Sequence, residues 1–291
     1  MYRVPRLSDG RPDLQARWDH IDAAPLERLP GFDSLVITQT QATKIEASLD
    51  AMSEDRSTPT EPTEYFNARK ILPIRGDLRS SVIVDPESGR LPWKTEFAEW
   101  GKKTRRAVVG AFDGPEQRPT SERCLGNPAS QPPHLYNPGT NLHQIIQTSD
   151  AIVFISEWGH DARVIRLNSK HGPAAVTSWL GDSIGWWEGD TLVVETINFS
   201  SSDTARLATP NAFLISARAK VTERFTRTSR DELIYAFSVE DPDSYAQTWK
   251  GETHFIRTAD EILEYACHED NRSMVYILQG AREQERNPPR Q

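Results

Sequence analysis

From residue 142 onward the chain alternates short apolar runs with turn signals, and this pattern limits the fold more than any other feature. HQIIQTSDAIVFISEW predicts two strands joined at 148–150. IGWWEGDTLVVETINF places Gly189-Asp190 between apolar runs, which is typical of a two-residue hairpin. Two more hairpins are predicted, with turns near 229–231 and 258–261. No long helical pattern interrupts this succession.

Eight or nine consecutive strands with short connections predict a mainly β fold. We expect an antiparallel up-and-down, lipocalin-like barrel or a strongly curved meander. No internal repeat is evident in the sequence, which argues against a propeller. An eight-stranded barrel is wide enough to hold one small ligand.

The chain before the barrel has a different texture. Residues 1–140 are rich in Pro, Gly and charge, with helix candidates at 33–52 and 95–112 and a short strand followed by a turn in 80–93. We expect this irregular, partly helical region to pack on the barrel as a lid or wall. The barrel is predicted to occupy 141–285, with a disordered tail at 286–291, all in one compact domain.

Composition excludes several classes of function. The net charge is −8, so neither nucleic acid nor an anionic membrane is an expected partner. No apolar stretch is long enough to cross a membrane, and the N-terminus has no apolar signal segment. Cys124 and Cys267 lie far apart without partners at metal spacing, which predicts reduced, buried thiols. A cytoplasmic location is the resulting expectation.

Strand alternation places charged residues on the apolar face. Arg163 shares a face with Ile165 and Leu167. On another strand, Glu223 and Arg227 share a face with Val221 and Phe225. A buried charge must be paired or used. An apolar interior with a few convergent polar groups is the usual form of a small-molecule site.

SEWGHDARVIRL, residues 156–167, places Glu157, His160, Asp161 and Arg163 within seven positions at a predicted hairpin. As a catalytic cluster, His160 would act as general acid or base, Asp161 would orient it and Arg163 would bind a substrate carboxylate. As an ordinary turn, the same residues would be solvated charges around Gly159. The sequence leaves both interpretations open and favours the site.

Motifs for other chemistry are missing from the sequence. It contains no G-x-S-x-G, no phosphate-binding glycine loop and no H-E-x-x-H. We therefore predict no cofactor and no metal, although His160 and Asp161 with His143 and His268 leave a zinc site open. Polar residues of the loop 112–126 and of the stretch 264–271 are further candidates for binding.

Four stretches carry a resemblance to a known family: GRPDL (10–14), FDGPEQRPTSERCLG (112–126), WLGDSIGWWEGDTLVVET (179–196) and EYACHE (264–269). Together they resemble a large, mostly uncharacterised bacterial family, over about residues 8–285. Many of its members look secreted, and this chain departs from them in showing no signal segment. The chain is also similar to the cofactor-independent enzymes of lignin-dimer catabolism, which open the ring of phenylcoumaran-type acids with loss of CO₂ to give a stilbene.

This second resemblance implies a lyase acting on a small aromatic acid but assigns no residues. From the chemistry that such a reaction needs, the predicted catalytic residues are His160, Asp161, Arg163 and Tyr136. The predicted substrate-binding residues are Arg118, Arg123, Trp158, Phe154, Trp186, Glu157, His143, Tyr265, His268 and Glu223. The alternatives are a cofactor-free dehydratase, isomerase or cyclase, a lipocalin-like carrier and a zinc hydrolase, and a homodimer stays open.

Overall fold

The computed structural model describes residues 2–54, 70–97, 99, 112–118, 120, 122–126, 130–136, 141–201, 205–207, 212–269 and 271–287. Its strands are β1 (Ala16–Asp19), β2 (Val36–Ile37), β3 (Leu78–Arg79), β4 (Ile83–Asp85), β5 (Leu142–Gln147), β6 (Ala151–Ser156), β7 (Asp161–Leu167), β8 (Asp182–Glu188), β9 (Thr191–Ile197), β10 (Ala205–Leu207), β11 (Ala212–Leu214), β12 (Lys220–Arg227), β13 (Glu232–Glu240) and β14 (Trp249–Arg257). The helices are α1 (Gln39–Glu54) and α2 (Ser273–Arg286). The prediction of a mainly β chain is confirmed.

Nine strands close into a barrel, in the order β1-β5-β6-β7-β8-β9-β12-β13-β14. The ring closes where β1 pairs with β14, with Trp18 opposite Arg257. Farther along β14, the short strand β4 pairs with the same side of that strand as β1 does, with Ile83 opposite Gly251. The barrel is therefore confirmed, and a four-residue strand from the irregular N-terminal region completes it.

The barrel is mixed, whereas the sequence predicted antiparallel pairing throughout. β7 and β8 run parallel, with Ile165 opposite Ser183. After Leu167 the chain returns to the barrel end from which β7 started, through residues 168–181, before β8 begins. This crossover reverses the direction of β8 that a succession of antiparallel hairpins predicts.

The predicted turns at 148–150, Gly189-Asp190 and 229–231 all join antiparallel pairs, as expected. The hairpin predicted near 258–261 is wrong. β14 ends at Arg257, and β1 already occupies the position beside that end of the strand. Residues 258–272 form no strand in the described part of the chain.

The N-terminal helix is shorter than predicted. α1 begins at Gln39 because residues 36–37 form β2, which pairs with β3. The second helix candidate, 95–112, lies mostly outside the described residues; a single 3₁₀ turn covers Thr95–Phe97. Neither α1 nor α2 has the length and apolar character of a membrane-spanning helix, within the part of the chain that the structure describes.

Alternation correctly predicted which side chains face the barrel interior. Arg163, Ile165 and Leu167 of β7 are all buried, and so is Glu223 of β12. Arg227 closes the end of the barrel opposite the β6–β7 turn. Its guanidinium lies over the ring of Trp18 and donates hydrogen bonds to the carbonyls of residues 13, 229 and 230.

Aromatic rings fill much of the interior. They lie in edge-to-face and tilted contacts with ring centroids 4.9–6.4 Å apart, the range in which such pairs are attractive. These side chains are Phe154, Phe225, Tyr235, Phe237, Trp249 and Phe255, each no more than 3% exposed. The barrel therefore has a packed core.

Cys124 and Cys267 form a disulfide bond, with their Cα atoms 5.8 Å apart. The prediction of two reduced thiols was wrong. The bond joins the loop 112–126 to the segment that follows β14, across 143 residues of sequence. Two cysteines this distant carry no local signal of pairing, because only the fold brings them together.

Gly251 tests the packing of the core. A Cβ atom there would lie 2.2 Å from Cζ of Phe237, the residue opposite it on β13. We expect Gly251→Ala to lower the free energy of unfolding by about 1–3 kcal/mol, because overpacking forces the enclosed ring to move. Urea denaturation followed by circular dichroism measures this change.

Gly280→Ala is the matched control. Gly280 lies in α2 with open space around it. There the added methyl should raise stability by about 0.5–1 kcal/mol, because alanine is the better helix former. Equal effects of the two substitutions would contradict the packing described for Gly251.

Candidate functional site

An ion pair between Arg163 and Glu223 lies at the centre of the polar part of the barrel. The side chain of Arg163 is 3% exposed and that of Glu223 is fully buried. Nη1 and Nη2 of the guanidinium donate to the two carboxylate oxygens. The remaining donors go to the hydroxyls of Ser183 and Thr196 and to Nε2 of His134. All five N–H groups of Arg163 are thus used.

Tyr235 and His134 continue the hydrogen-bond network from the ion pair towards the barrel end at which β6 ends and β7 begins. The Tyr235 hydroxyl donates to Oε1 of Glu223 at 2.8 Å and accepts the backbone N–H of His134 at 2.9 Å. Burial raises the pKa of Tyr235 well above its ordinary value, and the Glu223 carboxylate adds to this effect. Because a guanidinium only donates, Nε2 of His134 must accept, and this fixes a neutral imidazole there.

Three histidines, His20, His134 and His143, form a layer between the ion pair and the upper barrel end, where β6 ends and β7 begins. The rings of His134 and His143 lie edge to face, 5.2 Å apart. Nδ1 of His143 bonds to the hydroxyl of Ser156 at 2.9 Å, and Nε2 of His20 bonds to that of Thr253 at 3.0 Å. We call these residues the three-histidine layer.

Phenylalanine rings border this layer. Phe154 stacks on His134 with ring centroids 5.6 Å apart, and Phe255 contacts all three histidines at 5.0–6.2 Å. Burial lowers the pKa of His143 well below its ordinary value, and the neighbouring His134 adds to the effect. Burial likewise lowers the pKa of His20, with further contributions from the other histidines around it. The layer is therefore uncharged at neutral pH.

Two ring nitrogens of the layer take no part in the hydrogen bonds described above. Among the described residues, neither Nε2 of His143 nor Nδ1 of His20 has a hydrogen-bond partner, although each histidine is only 1% exposed. In a neutral imidazole one nitrogen carries a proton and the other accepts one, so a nitrogen of this kind serves as donor or acceptor according to the tautomer. The layer thus combines proton-transfer groups with an aromatic border, as a site for an aromatic acid requires.

Four of the predicted site residues lie in this interior: Arg163, Glu223, His143 and Phe154. Arg163 differs from its predicted role, because a guanidinium with all five donors engaged cannot also bind a substrate carboxylate. Tyr136 lies beside the layer, with its ring centroid 6.5 Å from that of His20.

Other predicted residues form the rim of the upper barrel end. Asp161 accepts a hydrogen bond from the Ser130 hydroxyl. Glu157 accepts the backbone N–H of Leu263 at 2.9 Å, and Trp158 donates to the Tyr265 hydroxyl at 3.0 Å. The last two bonds attach the segment after β14 to the β6–β7 turn.

Asp19 adds an acidic group at this rim. Burial raises its pKa to about 6, and the nearby carboxylates of Asp260 and Glu157 contribute to the increase.

His160 and Trp186 do not belong to the interior. His160 is exposed in the β6–β7 turn, where its φ is +54°. Its predicted role as general acid inside the barrel is therefore not supported. Trp186 points to the outer face of β8, where its indole N–H donates to Glu188, so it cannot form an aromatic wall inside the barrel.

The remaining predicted residues lie in the loop 112–126 and near the disulfide. Arg118 is buried, with its guanidinium donating to both carboxylate oxygens of Glu122 and lying 4.1 Å from the ring centroid of Phe112. Arg123 is half-buried next to Cys124, and His268 is exposed next to Cys267.

Sequence reasoning missed most of the three-histidine layer. His20 follows the four-residue strand β1, and His134 follows a Pro-Pro pair in an irregular segment, so neither lies in an alternating pattern. Tyr235 was also missed as a site residue. The sequence did contain a signal for this residue. Its position in the strand faces inward beside Glu223, and a buried hydroxyl needs a hydrogen-bond partner.

No three His, Cys, Asp or Glu side chains in the described ranges are placed to hold a metal ion. Comparison with protein-family models, with curated proteins and with solved structures finds no match for this chain. The resemblances noted from the sequence motifs therefore remain predictions, and the function has to be argued from the site itself.

Removal of Glu223 tests the ion pair. Glu223→Ala leaves the Arg163 guanidinium buried without its counter-ion, so we expect the free energy of unfolding to fall by about 3–5 kcal/mol. The double variant Arg163→Met with Glu223→Leu should recover part of this loss, because it removes both charges together. Denaturant unfolding of all three variants measures both effects.

Arg224→Ala is the control on the outer face of the same strand. Arg224 pairs with Glu188, and both side chains are almost half exposed. Loss of this pair should cost no more than about 1 kcal/mol. If Glu223→Ala cost as little as Arg224→Ala, the ion pair would not organise the interior.

Proposed function

We propose that this protein is a cofactor-independent lyase that acts on a small aromatic carboxylic acid, with the three-histidine layer as its acid–base site. The observation that carries the proposal is His143: a buried, neutral imidazole, oriented by Ser156 through Nδ1, with no partner for Nε2 within the described ranges. A phenylcoumaran-type acid is the substrate that the sequence resemblance implies.

Neutral histidines suit an anionic substrate in a specific way. A carboxylate placed beside Nε2 of His143 favours the charged form of the ring, because an opposite charge nearby stabilises an imidazolium. The substrate would therefore enter together with a proton, and the resulting imidazolium would be its counter-ion. This assigns to His143 the carboxylate contact that the sequence assigned to Arg163.

The reaction then needs one more proton donor. In decarboxylative ring opening, the electrons of the C–CO₂⁻ bond become the new C=C bond, while the ring C–O bond breaks towards oxygen. The phenoxide that leaves takes a proton, CO₂ departs, and His143, which no longer faces a carboxylate, releases the proton that it took up on binding. His20 is the proposed donor, since its Nε2 is held by Thr253 and its Nδ1 has no partner in the described part of the chain. Tyr136, beside His20, is the alternative donor.

Two further arguments bear on the alternatives. A lipocalin-like carrier of a hydrophobic ligand needs few buried charges, whereas the ion pair of Arg163 and Glu223 lies inside this barrel. A cofactor-free dehydratase, isomerase or cyclase would use the same acid–base groups but release no CO₂.

The disulfide bears on the cellular compartment. Disulfide bonds persist in oxidising environments and are rare in the cytoplasm. We therefore infer that the protein functions in an oxidising compartment, in place of the predicted cytoplasm. The disulfide between Cys124 and Cys267 supports this inference.

His143→Gln tests the proposed site. With a phenylcoumaran-type acid as substrate, we expect the wild-type protein to release CO₂ and form a stilbene. Headspace analysis measures the CO₂, and ultraviolet absorbance measures the stilbene. Loss of the imidazolium that pairs with the substrate carboxylate should reduce turnover by about 10²–10³-fold, as removal of a charge-stabilising donor does.

His171→Gln is the control, since His171 lies on the outer face between Asp182 and Glu195. It should leave turnover unchanged. Stoichiometric binding without any product would favour the carrier instead, and full activity in His143→Gln would refute the proposed site.

A further inference from the structure

A second buried polar cluster lies on the outer side of the barrel wall, behind the three-histidine layer. Nδ1 of His254 bonds to Oε1 of Glu232 at 2.9 Å, and Nε2 of His254 faces Oδ2 of Asp22 at 3.9 Å. His254 and Asp22 are almost fully buried, whereas the Glu232 side chain is 23% exposed. The cluster therefore begins at the solvent and ends inside the wall.

Asp22 links this cluster to the barrel interior. It follows β1, and its Oδ1 accepts the backbone N–H groups of Ala24 and Leu72. Burial raises the pKa of Asp22, while His254, these N–H groups and the Thr253 side chain act in the opposite direction. The Thr253 hydroxyl in turn bonds to Nε2 of His20 at 3.0 Å.

Thr253 and His254 are neighbours in β14, so their side chains point to opposite faces of the wall. Asp22 interacts with both: it faces Nε2 of His254 and takes part in a hydrogen bond with the Thr253 side chain. Polar side chains thus run from the surface to the site, with one gap between His254 and Asp22: Glu232, His254, Asp22, Thr253 and His20. Each of them contains a group that both gives and accepts a proton.

One atom in this series, Nε2 of His254, is buried and has no hydrogen-bond partner among the residues that the structure describes. A buried polar atom without a partner costs free energy, so a purely structural cluster would be expected to satisfy it. The separation from Asp22 needs to shorten by about 1 Å to form a bond, which a small shift of the ring or the carboxyl group provides.

We propose that Glu232, His254, Asp22 and Thr253 form a proton relay that connects the solvent with His20. The use of this relay in catalysis rests on the proposed function, in which His20 donates a proton to the leaving phenoxide.

Each step breaks one N–H or O–H bond and forms another. A proton passes from Glu232 to Nδ1 of His254, from Nε2 to Asp22, and through the Thr253 hydroxyl to Nε2 of His20, whose Nδ1 proton goes to the substrate. No electrons are transferred, and the His254 ring resets by exchanging its tautomer.

Proton exchange of the His20 ring, measured by ¹⁵N NMR on the substrate-free protein, tests the relay without any assay of turnover. His254→Gln keeps a hydrogen bond to Glu232 but cannot pass a proton. Asp22→Asn keeps an acceptor for the N–H groups of Ala24 and Leu72. We expect either variant to slow exchange of the His20 ring proton at least tenfold.

Asp182→Asn is the matched control, because Asp182 is also a carboxylate bonded to a histidine, His171, but on an outer face away from the series. It should leave exchange at His20 unchanged. Unchanged exchange in His254→Gln would overturn the relay, and so would faster exchange that parallels the backbone amides of β14, since that would indicate a structural role alone. Absence of turnover in the wild-type protein would refute the proposed function and leave this result standing.

Discussion

The buried ion pair between Arg163 and Glu223 is the interaction on which the barrel interior depends. Removing two charges from water is costly, and the cost is offset only where every donor and acceptor finds a partner. Here the partners come from neighbouring strands: Arg163 from β7, Ser183 from β8, Thr196 from β9, Glu223 from β12 and Tyr235 from β13.

A one-residue slip of any of these strands would turn its polar residue to the outer face and leave the pair unsatisfied. The pair therefore specifies the register of five strands at once, including the parallel pair β7 and β8. It also fixes His134, whose Nε2 accepts from Arg163 and whose backbone N–H donates to Tyr235. Through this contact, a segment from the irregular N-terminal region is held against the interior.

The same ion pair explains why the proposed site is uncharged. The Arg163 charge is balanced by Glu223 within the interior, so little of it acts on an incoming anion. The histidines around it are too buried to carry a charge of their own in the absence of a ligand. A carboxylate bound there favours protonation of His143, and the proposed reaction uses the resulting imidazolium as the counter-ion of the substrate.

Alternation was sufficient to predict the barrel and its inward-facing charges, because residues such as Arg163 and Glu223 lie in regular strands of seven or eight residues. It failed where structure depends on distant contacts. β1 is too short to alternate visibly, His134 lies in an irregular segment, and Cys124 meets Cys267 only in the folded chain. His160 was chosen from its neighbours in sequence, whereas the turn exposes it to solvent.

The central claim is that the three-histidine layer binds an aromatic carboxylate together with a proton. Isothermal titration calorimetry with benzoate, in two buffers of different ionisation enthalpy, measures that proton directly. Because the histidines are neutral when unliganded, we expect uptake of about one proton near neutral pH, with affinity falling tenfold for each unit of rising pH. The uptake should disappear in His143→Gln. Binding without proton uptake, or uptake unchanged in that variant, would contradict the account.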